Sequence, residues 1–166
     1  MRLSIIKGKF GFQQGTCILS LFFLAGLGVA ACYEFMSLSV QRRTFMFYGI
    51  GNDMPVVEER MLPLSASDEA EIKRYVEEVL LGPVSPKTAP LFCRDTYLRS
   101  LLYRAGKVYA DLSESAALPP LEDAPPREGE IQRNLQTLDE EIRRNFPAVR
   151  EVILFINGNR VMDLKK

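Results

Sequence analysis

Between Ser67 and Pro83 the apolar residues Ile72, Tyr75, Val76, Val79 and Leu80 recur at helical spacing and make one buried stripe. Ser67 is placed to cap this helix, and Asp68, Glu69 and Glu71 put negative charge at its positive dipole end. Gly82-Pro83 stops it, since glycine accepts a left-handed cap and proline cannot continue the ladder. A second helix is predicted from about Glu128 to Asn145, on the stripe Ile131, Leu135, Leu138, Ile142 and Phe146, with Pro147 ending it.

The remaining apolar runs have the short, β-branched and aromatic character of strands. "RTFMFY" (43–48) leads through a turn near Asn52-Asp53 into "MPVVEERMLPL", whose prolines place it near a sheet edge. "YLRSLLYRAGKVYADLS" predicts a hairpin turning at Ala105-Gly106, with Leu98, Leu101 and Tyr103 on one strand facing Val108 and Ala110 on the other. After the second helix, Val152–Ile156 reads as a core strand, turning at Asn157-Gly158-Asn159 into a short return around Arg160 to Met162. "SAALPPLEDAPPREGE" (115–130), with four prolines and several acids, reads as an exposed loop. Interleaved helices and hairpins predict an α+β fold, a mixed or antiparallel sheet with two helices packed on one face.

A different pattern precedes all this. No charge occurs from Phe10 to Tyr33, and Ile18–Val29 is almost continuously apolar. Arg2, Lys7 and Lys9 lie before the run, and the first acid is Glu34. This is the layout of a signal sequence or signal anchor with its basic end in the cytoplasm. Two readings follow. Either residues 17–38 form an uncleaved transmembrane signal anchor behind a cytoplasmic basic stretch, residues 1–16, or Val29-Ala30-Ala31-Cys32 is a lipobox, cleaved before Cys32, which then carries lipid. Both predict a membrane-attached, single-pass or lipid-held chain whose remainder is extracytoplasmic.

Composition narrows the function. Of the cysteines Cys17, Cys32 and Cys93, only Cys93 lies beyond the apolar run, so no disulfide can form within the folded part. A buried small hydrophobe is the expected role for Cys93. Beyond Phe10 the chain has 18 Lys and Arg against 21 acids, a balance that does not suit nucleic acid. The chain has no His, which removes Ser-His and Cys-His chemistry and the commonest metal ligand. No phosphate-binding glycine loop is present, and "GIGND" lacks the basic residue and helix such a loop needs. No catalytic residue, cofactor or metal is therefore expected, and the chain reads as a non-enzyme.

Asp111 is the acid best placed to act, at a strand end, against a reading in which it and Ser113 bond nearby backbone donors. The acid runs Glu58-Glu59 and Asp139-Glu140-Glu141 read as solvated faces. Tyr75, Tyr97, Tyr103 and Tyr109 read as packing, with a ligand groove as the alternative.

Several motifs, in order, resemble the GerMN domain, the sporulation and spore germination domain. A helix ends in Leu80-Leu81-Gly82-Pro83. A strand carries Val108-Tyr109-Ala110-Asp111-Leu112-Ser113. The second helix holds Gln136-Thr137-Leu138, a Phe146-Pro147 turn follows, and Asn157-Gly158 closes the last strand. The resemblance covers about residues 43–163. Ala110 departs from the usual Val there, and the loop before the second helix is longer and more acidic than the pattern. The resemblance implies a membrane-attached extracytoplasmic module of the bacterial envelope, with a core similar to ring-building motifs. The partners expected are a membrane together with further copies of itself or another envelope protein; the alternative is a binding module for an envelope ligand such as a peptidoglycan fragment, held in a pocket lined by the tyrosines and one or two acids.

Overall fold

The computed structural model describes residue 20 and residues 22–32, 39–121 and 129–161. The chain divides into two compact units, Met1–Ser39 and Val40–Lys166. In the first, Ser20 and residues 22–32 are helical and exposed. Eleven residues rise about 16 Å, roughly half of a hydrocarbon core. No helix among the described residues is long and apolar enough to cross a membrane. The expected span over 17–38 is therefore not found as a spanning helix. Residues 1–16, Cys17 to 19, 21 and 33–38 lie outside the described residues.

The second unit is α+β. In chain order it runs β1 (Val40–Gly49), β2 (Pro55–Pro63), α1 (Asp68–Leu81), β3 (Thr88–Ala89), β4 (Leu98–Arg104), β5 (Lys107–Leu112), a 3-10 turn (Glu114–Ala117), α2 (Glu130–Asn145), β6 (Glu151–Ile156) and β7 (Asn159–Arg160). The strands form two sheets, β2-β1-β3 and β4-β5-β6-β7, where the sequence predicted one. All neighbours are antiparallel except β5 and β6, which α2 connects in parallel.

The reason for two sheets lies at Thr44, in the middle of β1. β3 pairs with β1 only at Tyr48 and Gly49. Further along that edge, the Asn145 side chain takes the place of a strand. Its Oδ1 accepts the Thr44 N–H at 3.0 Å and its Nδ2 donates to the Thr44 carbonyl at 2.9 Å. The Tyr75 hydroxyl donates to the same carbonyl at 2.8 Å. With these groups satisfied, the edge of β1 is closed by helix side chains and does not continue into the second sheet.

Both helices consequently serve both sheets. α1 reaches β1 through Tyr75, and β4 through Glu69, which accepts the Tyr103 N–H at 2.9 Å. One core joins Phe45 and Phe47 of β1, the predicted stripe of α1, Val108, Ala110 and Leu112 of β5, and Leu135, Leu138 and Ile142 of α2. Tyr75 is its centre, stacked on Phe45 at 4.7 Å and edge-on to Phe146 at 5.5 Å.

Local chemistry explains the ends. Ser67 accepts the Ala70 N–H, the predicted cap. Ala105 and Gly106 take φ of 52° and 78°, the two positive angles that a tight hairpin turn needs. The linker after β5 begins differently from the exposed loop expected: Glu114–Ala117 turns and buries Ala116 in the core. Residues 122–128, the acidic part of that linker, and 162–166, including Met162, lie outside the described residues.

Candidate interaction site

The segment that ends α1 borders a broad concavity of the folded unit. Gly82 has φ 86° and ψ −175°, a conformation open to glycine and outside the left-handed helical region the cap was expected to use. A side chain there would also meet Pro90 at 3.3 Å. This bend leaves Leu81 and Val84 outward, at 78 % and 79 % exposure the most exposed large apolar side chains among the unit's described residues.

The bend is held from below by β2. α1 has no basic residue in its last turn, and Arg60 of β2 supplies the missing cation. Its guanidinium donates to the Gly82 carbonyl at 2.7 Å and to the Glu78 carbonyl at 3.3 Å, and lies 4.8 Å over the Phe45 ring. Glu58 accepts the N–H groups of Val84 at 3.1 Å and Ser85 at 3.2 Å, and pairs with Arg60 at 2.9 Å. Burial opposes the Glu58 charge, yet Arg60 and the two backbone donors prevail and hold its carboxyl below the ordinary range. Glu58 is thus a clamp on the 82–85 segment, where the sequence suggested a solvated acid.

A groove of about 530 Å³ lies beside this segment, walled by Leu80, Leu81, Pro83 and Pro90 and bordered by Glu77, Arg94, Thr96 and Tyr97. Tyr97 is 61 % exposed. The Thr96 hydroxyl is buried in the wall with no hydrogen-bond partner among the described residues. The groove is therefore mainly apolar, with one carboxylate, one guanidinium, one phenol and one unused hydroxyl.

The other residues singled out by sequence do not meet here. Tyr75 is in the core, Tyr103 packs against it, and Tyr109 stands opposite Leu102 in the β4–β5 pair, so no tyrosine-lined groove forms. Asp111 accepts the Gly158 N–H at 2.9 Å and Arg99 at 3.2 Å, bracing the β6–β7 turn. Ser113 accepts the Tyr97 N–H at 3.1 Å. Val108 and Leu112 are core residues, as is Leu138. Thr137 bonds the Tyr48 hydroxyl at 2.9 Å, Pro147 follows α2, and Gly158 sits in its turn at φ 77°. Cys93 is buried and free, and Cys32 is exposed in the first unit. Among the described residues no group of His, Cys, Asp and Glu could hold a metal ion.

Sequence reading missed Glu141, set among the solvated acids. It is 1 % exposed, 3.4 Å from the Tyr75 hydroxyl and bonded to Arg144. Burial pushes its carboxyl above the ordinary value near 4.5, with Glu140 adding to the shift and Arg144 and Tyr75 opposing it. It occupies the position three residues beyond Leu138, on the apolar stripe itself, which is the signal that could have found it.

No family model matches the chain, and no curated protein does. Solved structures do. The first GerMN domain of the sporulation protein GerM from Bacillus subtilis is 25 % identical, over 75 % of this chain and 89 % of that one, with a TM-score of 0.51. The tandem GerMN domains of the same protein are 20 % identical over 76 % of this chain, with a TM-score of 0.57. This chain spans 42 % of the tandem structure. A candidate lipoprotein from Clostridium perfringens is 18 % identical over 77 % of this chain and 83 % of that one, at a TM-score of 0.48.

Proposed function

We propose that the chain, whose folded unit is a GerMN-like domain, is a non-enzymatic interaction module of the bacterial cell envelope, attached to a membrane by its uncharged N-terminal run. The observation that carries this reading is the groove beside Leu80-Leu81-Gly82-Pro83. There Leu81 and Val84 stand exposed at a bend that Arg60 and Glu58 hold in place, and Tyr97, from another loop, borders the groove. Apolar surface displayed on a fixed scaffold is what a protein partner desolvates. The fold supports an extracytoplasmic placement, and the neighbours are sporulation-protein domains and not known enzymes.

The test is a photo-crosslinking amino acid at Val84 of the full chain in its native envelope. One adduct of fixed mass should form, and Leu81→Asp, which leaves the crosslinker in place, should abolish it. No adduct, or one indifferent to Leu81→Asp, overturns the reading. A second reading, a small envelope ligand such as a peptidoglycan fragment, is favoured by the unused Thr96 hydroxyl beside Arg94. In that case soluble muropeptides should shift the NMR signals of Thr96 and Tyr97.

A further inference from the structure

The outer edge of β2 leaves backbone groups unpaired, and the parity of the ladder says which. Thr44 turns its N–H and carbonyl away from β2, toward Asn145, and Tyr48 turns toward Ala89 of β3. Antiparallel partners alternate between hydrogen-bonded and non-hydrogen-bonded pairs. Glu59, opposite Thr44, and Pro55, opposite Tyr48, therefore belong to the non-hydrogen-bonded set. So do Val57 and Met61, opposite Met46 and Arg42. The N–H groups of Val57, Glu59 and Met61 point out of the sheet, and no backbone or side-chain acceptor among the described residues takes them.

At two other edges side chains take outward backbone groups. Asn145 and Tyr75 close β1, and Glu69 takes the Tyr103 N–H of β4. On β2 the flanking outward positions are Pro55 and Pro63, which have no N–H to offer, and Arg74 occupies the Pro63 carbonyl at 3.0 Å. The open stretch is thus bounded to Val57–Met61. Its side chains share one face: Val57 and Met61, 57 % and 59 % exposed, on either side of Glu59.

We propose that this edge is a strand-addition site for an extended segment of another protein, in which a basic residue has apolar residues two positions before and two after it. Antiparallel pairing sets the basic residue against Glu59, whose exposed carboxylate also pairs with Arg42 of β1 at 3.2 Å and would be shared between the two cations, and sets the apolar ones against Val57 and Met61; cross-strand pairs of these kinds stabilise a sheet. A second copy of β2 fits poorly. Centred pairing sets Glu59 against Glu59, and a shift of two residues that keeps outward groups matched sets Glu59 against an apolar residue and a proline against Val57 or Met61.

The site is distinct from the groove, and its test does not depend on it. The full chain in detergent micelles is titrated with the capped peptide Thr-Val-Thr-Lys-Thr-Val-Thr while amide hydrogen exchange is followed by NMR. At saturation the amides of Val57, Glu59 and Met61 should exchange at least tenfold more slowly, and those of Val84 and Tyr97 should not change. N-methylation of the peptide at both Val and the Lys should abolish binding, whereas methylation at the third and fifth Thr should not. Replacing the peptide Lys by Glu should weaken binding about threefold, and Glu59→Lys, an exposed change that preserves the fold, should reverse that preference. Equal binding of both methylated peptides, or no slowing at the three amides, overturns the proposal. Slowing that grows with protein concentration without peptide would place a second copy there, and overturns it too.

Discussion

Two residues of α2 show how much hangs on single polar side chains in this core. Asn145 stands in for a β-strand at Thr44, so Asn145→Ala leaves a part-buried N–H without its partner and weakens the bonding of the carbonyl. The expected loss is about 1–2 kcal/mol of stability, read as a lower urea midpoint with an unchanged slope. Glu141 carries the opposite kind of signature. Its carboxyl titrates higher in the folded chain than in the unfolded one. The folded state therefore holds the proton more tightly, and the Glu141 contribution to stability falls as pH rises from about 4.5 through the raised value. Glu141→Gln should accordingly gain on the wild type as pH rises across that window, in urea unfolding at several pH values. Glu58, held low, works in the other sense: its contribution is present above the ordinary carboxylate value and is lost as pH falls through its depressed one.

At the scale of elements, the helices and hairpins were legible because each carries its own local signal. Ser67, Gly82 and the Ile72–Leu80 stripe mark α1, and Ala105-Gly106 marks the β4–β5 turn. What was not legible is decided by partners far along the chain. β3 is two residues long and is a strand only through its pairing with Tyr48 and Gly49, about forty residues earlier. The division into two sheets depends on an asparagine 101 residues from the strand it caps. The groove was hidden for a similar reason: the Leu80–Pro83 motif is readable, but the Thr96 and Tyr97 that border it come from another loop. Gly82→Ala tests the bend that links motif to groove. Its φ and the approach to Pro90 should cost about 1–3 kcal/mol, and crosslinking from Val84 should fall with it. Ser67→Ala, at the far end of the same helix, should cost about 1 kcal/mol and leave that crosslinking unchanged.

For the whole molecule, the proposed function assigns placement to one unit and contact to the other. If the N-terminal run provides the attachment, a chain lacking residues 1–38 should leave the membrane fraction and keep the unfolding midpoint of the Val40–Lys166 unit. Retention at the membrane would move the attachment into the folded unit. In the full chain, Cys32→Ser separates the two modes of attachment: release from membranes means a lipid on Cys32, and retention means the apolar run itself. Light scattering of the released unit should give a monomer over a wide concentration range, since the β2 edge resists pairing with itself. The burial of Cys93 adds an internal clock. It is the sole thiol beyond residue 39 and is 6 % exposed. In the released unit a thiol reagent can reach it only when the core around Leu91 and Phe92 opens, so its labelling rate times those openings. Compared between wild type and the variants above, that rate shows whether a substitution loosens the region beside the groove or only the far end of α2.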